Sequence, residues 1–192
     1  MSTTRIDLIF DGPGVKNGTI DASLLAESLT GYSRTYLRAN ELLNGEVSEA
    51  VVLVQAEFRK GSFIVDLQLV QTVVESAKQL ISAHSILDSA GLVSALGFAW
   101  SSRSDIKDGV IDLIKWLKGK KPDSTLSLGS SIEVTLGANK KIVTNNVYNL
   151  YGDEAIRHGF GNLVTGLNRP ALDKISMAVD GVEQTSIRAC SH

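Results

Sequence analysis

Alternation opens the chain: Ile6, Leu8 and Phe10 fall on one side of the stretch from Arg5 to Asp11, which predicts a strand with one buried face. After the loop "GPGVKNG", Asp21 is placed to cap a helix reaching Leu43. Leu25, Leu29, Tyr32, Tyr36, Ala39 and Leu43 recur at helical spacing and form one stripe, and Asn44–Gly45 marks the end. Two β-branched and aromatic runs then flank Lys60 and Gly61, predicting a hairpin from Ala50 to Leu69 with Phe63, Val65, Leu67 and Leu69 facing inward.

From Val70 the period turns helical, with Val70, Val73, Ala77, Leu80, Ile81 and His84 on one face. Ser85 and Asp88 have capping-pair spacing ahead of "GLVSALGFAW", which lies in an uncharged window of 14 residues from Ser89 to Ser102. A bilayer crossing needs about 20 apolar residues. Asp88, Arg103 and Asp105 bound this window, so it predicts a buried helix. A further helix starts at Ser104, with Ile106, Val110, Leu113 and Leu117 inward and Asp105, Asp108, Asp112 and Lys115 outward. Beyond Pro122 come strands at "SIEVTL" and "KKIVTN", helices over Val147 to Tyr151 and Asp153 to Leu167, and a pair "KISMAV" and "EQTSI" joined at Asp180–Gly181.

The class is α+β, with a mainly antiparallel sheet built from an N-terminal strand and two or three hairpins, packed with several amphipathic helices. The stretch from Gly119 to Gly129 divides it. Residues 1–121 form a strand-helix-hairpin unit with a helical segment, and residues 122–192 form a smaller strand-rich segment packing on it or sharing one domain with it.

Composition narrows the function classes. The chain of 192 residues is 43% hydrophobic and 21% charged, enough for a sizeable core. Lys and Arg number 19 against 21 Asp and Glu, a net charge of −2, so the strongly basic signature of a nucleic-acid partner is missing. The lone cysteine, Cys190, provides neither an intrachain disulfide nor a thiolate metal cluster. Arg5 and Asp7 interrupt what would be a signal's apolar region, so a cytoplasmic protein without a transmembrane segment is expected.

Candidate chemistry is sparse. "FDGPGVKNGT" has the order of a phosphate loop, but Thr19 directly follows Gly18 and Lys16 precedes it, and Gly12, Gly14 and Asn17 miss the dinucleotide pattern. His84 lies on an apolar face and His192 is terminal. His158 has Asp153 and Glu154 nearby without metalloprotease spacing, and no nucleophile elbow occurs. No catalytic residue, metal site or cofactor is therefore assigned. Two anion-binding groups remain: Arg34 with Arg38, where Glu41 is placed to pair, and the lysines Lys118, Lys120, Lys121, Lys140 and Lys141. Leu92, Val93, Leu96, Phe98 and Trp100 offer an apolar surface for self-association.

The segments "LIFDGPGVKNGTID", "RANELLNG", "FRKGSFIVDLQLVQ" and "GVIDLIKWLKGKKP" together resemble a family of uncharacterised bacterial and bacteriophage proteins, over about the first two thirds of the chain. The shared motifs are structural, and the resemblance implies no activity, cofactor or site residue. Members of that family continue into a longer C-terminal region, so the resemblance implies a truncation or fragment at "RACSH". The expectation is a non-enzymatic, prophage-type interaction protein acting through protein contacts and self-association. The alternative is a small-ligand binder capturing a nucleotide-like anion, and an enzyme of unknown class comes third.

Overall fold

The computed structural model describes residues 1–55, 63–73, 86–98, 108–168 and 172–189. Strand β1 (Ser2–Asp11) occupies the middle of a five-stranded sheet of order β2-β3-β1-β7-β8, built from β2 (Ser48–Gln55), β3 (Phe63–Val73), β7 (Lys174–Val179) and β8 (Val182–Arg188). Every pairing in it is antiparallel. The α+β class expected from the pattern is therefore present. The register places Ile6 opposite Leu67, Leu8 opposite Val65 and Met177, and Phe10 opposite Phe63 and Ile175. All these side chains are buried, so one face of the sheet carries the core. Because β7 pairs with β1, residues from both sides of Gly119–Gly129 share this sheet.

Helix α1 (Ala22–Asn44) begins where Asp21 accepts a hydrogen bond from the Leu24 N–H at 2.9 Å, and the Gly45 N–H returns to the Glu41 carbonyl at its end. Both ends agree with the sequence pattern. The buried face agrees in part: Tyr32, Tyr36 and Ala39 of the stripe are buried. Leu25, Leu29 and Leu43 are only partly buried, whereas Leu24, Ser28, Gly31, Thr35 and Asn40 are buried. The cause is α5 (Glu154–Val164), which packs along α1 at very short range. A Cβ on Gly31 would lie 2.5 Å from the Gly159 carbonyl oxygen, and one on Gly159 would collide with the Thr35 hydroxyl. That hydroxyl instead donates to the Gly31 carbonyl at 2.7 Å. Small residues let the two backbones meet, as ridges of larger side chains would not.

The hairpin's two arms are β2 and β3, paired from Ser48–Val73 to Gln55–Asp66, while Lys60 and Gly61 lie outside the described residues. β3 runs on to Val73, so the predicted change to helix at Val70 is corrected: Val70 pairs with Val51 and Thr3. Ladder hydrogen bonds on both sides override the local period there. Ala77, Leu80, Ile81, His84 and Ser85 lie outside the described residues.

The first part of the uncharged window forms α2 (Ser89–Leu96), capped by Asp88, which accepts from the Gly91 N–H at 2.8 Å, and residues 99–102 lie outside the described residues. Leu92, Val93, Leu96 and Phe98 are all buried within the chain. They are corrected from a contact surface to core, and Trp100 lies outside the described residues. Phe98 stacks on Tyr32 with ring centroids 4.5 Å apart and lies 5.5 Å from Phe160, so it joins α1 to α5. Among the described residues no helix is long and apolar enough to cross a membrane.

A buried polar knot ties the far end of α1 to the sheet. The Asn40 Oδ1 accepts from Asn44, Ser48 and Gln71, while the Gln71 amide also donates to the Leu87 carbonyl. Buried amides so paired avoid the cost of unsatisfied burial.

Helices α3 (Val110–Leu117) and α4 (Asn145–Gly152) lie either side of a three-stranded meander, β4 (Ser124–Ser127), β5 (Ser131–Leu136) and β6 (Asn139–Thr144). Its Val134 and Val143 are buried. β7 and β8 are joined at Asp180–Gly181, both at positive φ (52° and 77°), the geometry of a tight hairpin turn.

The α1–α5 contact predicts its own test. Gly159→Ala should lower stability by about 1–3 kcal/mol through overpacking against Thr35. Thermal unfolding indistinguishable from the unmodified protein would show that the helices are not held so closely.

Candidate functional site

Three helices and one strand border a half-open cleft of about 840 Å³. Helix α3 contributes Ile111, Ile114 and Lys115, spaced to share a face. Helix α4 contributes Tyr148 and Tyr151, whose ring centroids are 6.1 Å apart. Helix α5 adds Arg157, Phe160, Gly161 and Val164, at intervals of three and four that again make one stripe. Ile187 of β8 closes one side, and the link from α3 to β4 supplies Lys120, Lys121, Ser124 and Thr125.

The path of that link depends on two left-handed residues. Lys118 ends α3 with φ 50° and ψ 41°, its N–H bonded to the Ile114 carbonyl, and Gly119 follows at φ 76°. The chain reverses there, so Lys118 stays exposed outside the cavity lining while Lys120 and Lys121 come to it. Asp123, the nearest acid in sequence, is turned elsewhere, accepting from the Gly137 N–H.

Charge is one-sided in this cavity. Lys115, Lys120, Lys121 and Arg157 line it, and among the described residues no acidic side chain does. Arg157 is anchored by its Nη1, which donates to the Tyr151 and Gly152 carbonyls at 2.7 Å each. Those are the last carbonyls of α4, where a cation is favoured. Its guanidinium also lies 6.0 Å from the Tyr151 ring centroid. Lys115 is exposed, as the sequence pattern has it, and borders the cleft. Its ammonium reaches across to β8, donating to the Ser186 carbonyl at 2.8 Å and the Thr185 hydroxyl at 3.3 Å. Burial pushes its pKa below the ordinary lysine value, with Asp112 acting in the opposite sense. Lys120 and Lys121 form no ion pair among the described residues.

The remaining candidate cations do not converge on them. Lys140 pairs with Glu133 at 2.7 Å and Lys141 with Asp108 at 3.0 Å, both away from the cavity lining. Arg34 borders a separate, shallower groove beside Leu29 and Val52. Arg38 pairs with Glu41 as expected, and its Nε and Nη2 both donate to Asp153 Oδ2, at 3.1 and 2.9 Å. The Asp153 Oδ1 meanwhile accepts from the Ile156 N–H and caps α5. Of the proposed anion-binding residues, then, only Lys120 and Lys121 share a site.

His158 is exposed on α5, with the nearby Asp153 already engaged by Arg38. Asp112 accepts from the Gly109 N–H, while Asp105 lies outside the described residues. Among the described residues no group of His, Cys, Asp and Glu is placed to hold a metal ion. The cavity residues that sequence reasoning missed, Arg157, Phe160, Gly161 and Val164, carried a readable signal in their helical spacing. Nothing in sequence marked Tyr148 or Ile187 as their neighbours.

No family model, curated protein or solved structure matches this chain.

The Asp153 junction predicts a pH dependence. Burial raises the carboxyl's pKa, but the Arg38 guanidinium and the Ile156 and Ala155 N–H groups outweigh it and hold the pKa below 3.8. Its contribution to stability is present above pH 3.8 and is lost as pH falls through the lower folded value. Asp153→Asn should therefore be less stable at neutral pH and show a shallower acid transition by circular dichroism. Superimposable acid curves would contradict this assignment.

Proposed function

We propose that the protein binds a small organic anion in the cavity between α3, α4, α5 and β8. The observation that carries this reading is the pairing pattern: Lys140, Lys141 and Lys174 are matched to acids, whereas the cations at the cavity face no acid in its lining. Unmatched cations beside an apolar wall supply charge-assisted hydrogen bonds to an anion. The volume of about 840 Å³ lies within the ~300–1,000 Å³ of pockets that enclose a small ligand.

A fluorescent aryl sulfonate, anilinonaphthalene sulfonate, tests this directly. It should bind the folded protein at one site, weaken as salt is added, and weaken about tenfold or more in Lys120→Glu/Lys121→Glu, since charged hydrogen bonds contribute about 1.5–3 kcal/mol each. Unchanged affinity in a variant that melts like the unmodified protein would overturn the reading.

A second reading, self-association, draws on a different surface from the buried α2 residues. β2 is an edge strand, and its Val51, Leu53 and Val54 are 51%, 45% and 57% exposed. Its run from Ala50 to Gln55 carries neither the charge nor the proline that usually protects an edge. On this reading, two copies meet along β2. Sedimentation at tens of micromolar should show a dimer that Leu53→Lys returns to monomer, and a monomeric starting protein removes the idea.

A further inference from the structure

We infer that the anion is a single-chain amphiphile, an alkyl chain ending in one anionic group, and not a nucleotide; this rests on the anion-binding reading above. Three observations lead there. First, the interior of the cavity is hydrocarbon: Ile111, Ile114 and Leu117 of α3 face Phe160 and Val164 of α5 and Ile187 of β8. Second, among the described residues the lining includes no Asp, Glu, Asn or Gln. Side-chain acceptors for the amino and imino groups of a nucleobase are limited there to the hydroxyls of Ser124, Thr125, Tyr148 and Tyr151, fewer than a base-specific site would use. An alkyl chain has no such groups.

Third, Gly161 stands within α5 and lines the cavity, yet a Cβ there would meet nothing within 4 Å. Gly31 and Gly159 are required by helix contact, but Gly161 is not. A mid-helix glycine costs about 1 kcal/mol relative to alanine, and Gly161 lies at the exposed mouth of the cleft, where a large side chain would enter its opening. Lys120 and Lys121, without an ion pair among the described residues, and the anchored Arg157 supply the charge for the head group, with the chain directed among the α3 and α5 side chains.

The experiment is calorimetric titration of hexanoate, octanoate, decanoate and dodecanoate, each below its micellar concentration, with adenosine monophosphate and dodecanol as comparisons. Affinity should rise about fourfold per added methylene, from ~0.8 kcal/mol per buried CH₂, until the cavity is full. Dodecanol and the nucleotide should bind at least tenfold more weakly than dodecanoate. Gly161→Trp, whose side chain enters open space, should keep its melting temperature and lose the long-chain members more than hexanoate. A flat series, tighter nucleotide binding, or full dodecanoate affinity in Gly161→Trp would each overturn this inference while leaving the anion reading intact. If neither the carboxylates nor anilinonaphthalene sulfonate binds, the anion reading fails and takes this one with it.

Discussion

The backbone contact between Gly31 and Gly159 is the constraint on which the rest of the helical layer depends. It brings α5 against α1 so closely that a methyl group on either glycine would strike the other helix. An α-helix turns about 100° per residue. With Gly159 against α1, the stripe of Arg157, Phe160, Gly161 and Val164 is directed to the other side of α5. That side meets α4, α3 and β8 across the cavity. Asp153 sets the axial position of the same helix, capping it with one oxygen and holding Arg38 of α1 with the other. The cavity wall is thus placed by contacts on the far side of the helix that forms it.

Elements with a local cause were legible in the sequence. The alternation of Ile6, Leu8 and Phe10, the Asp21 cap, the Asn44–Gly45 end and the Asp180–Gly181 turn all act within a few residues and all appear. The uncharged window was read as a buried helix, and α2 is one. Features decided by a partner distant in sequence were not legible. The buried face of α1 includes Ser28, Gly31 and Thr35, which a hydrophobic stripe cannot indicate, because their role is to be small. β3 extends through Val73 because β1 and β2 pair with it there.

Candidate cations show the same division. From sequence, Lys140 and Lys141 were as plausible as Lys120 and Lys121. What separates them is whether the fold brings an acid alongside: Glu133 sits across the β5–β6 pair from Lys140, and Asp108 comes to Lys141 from the approach to α3. Exposed ion pairs of this kind contribute little to stability. Their effect here is on distribution: in a chain with net charge −2, they leave the positive potential beside the α3–β4 link less neutralised than elsewhere.

Three departures from local rules fall at or beside the cleft. Lys118 adopts a left-handed backbone that glycine would take more readily, Gly161 interrupts a helix without any packing need, and Lys115 holds a charge where burial opposes it. Each is unfavourable alone, by roughly 1 kcal/mol for the glycine, and an unfilled apolar cavity forgoes further packing energy. A sequence shaped only for stability would replace Gly161 with a larger residue, fill the space between α3 and α5, and end α3 on glycine. Gly161 and Lys115 line the cleft and Lys118 lies just before it in the chain, while the polar knot around Asn40 and the caps of α1 and α2 follow the rules.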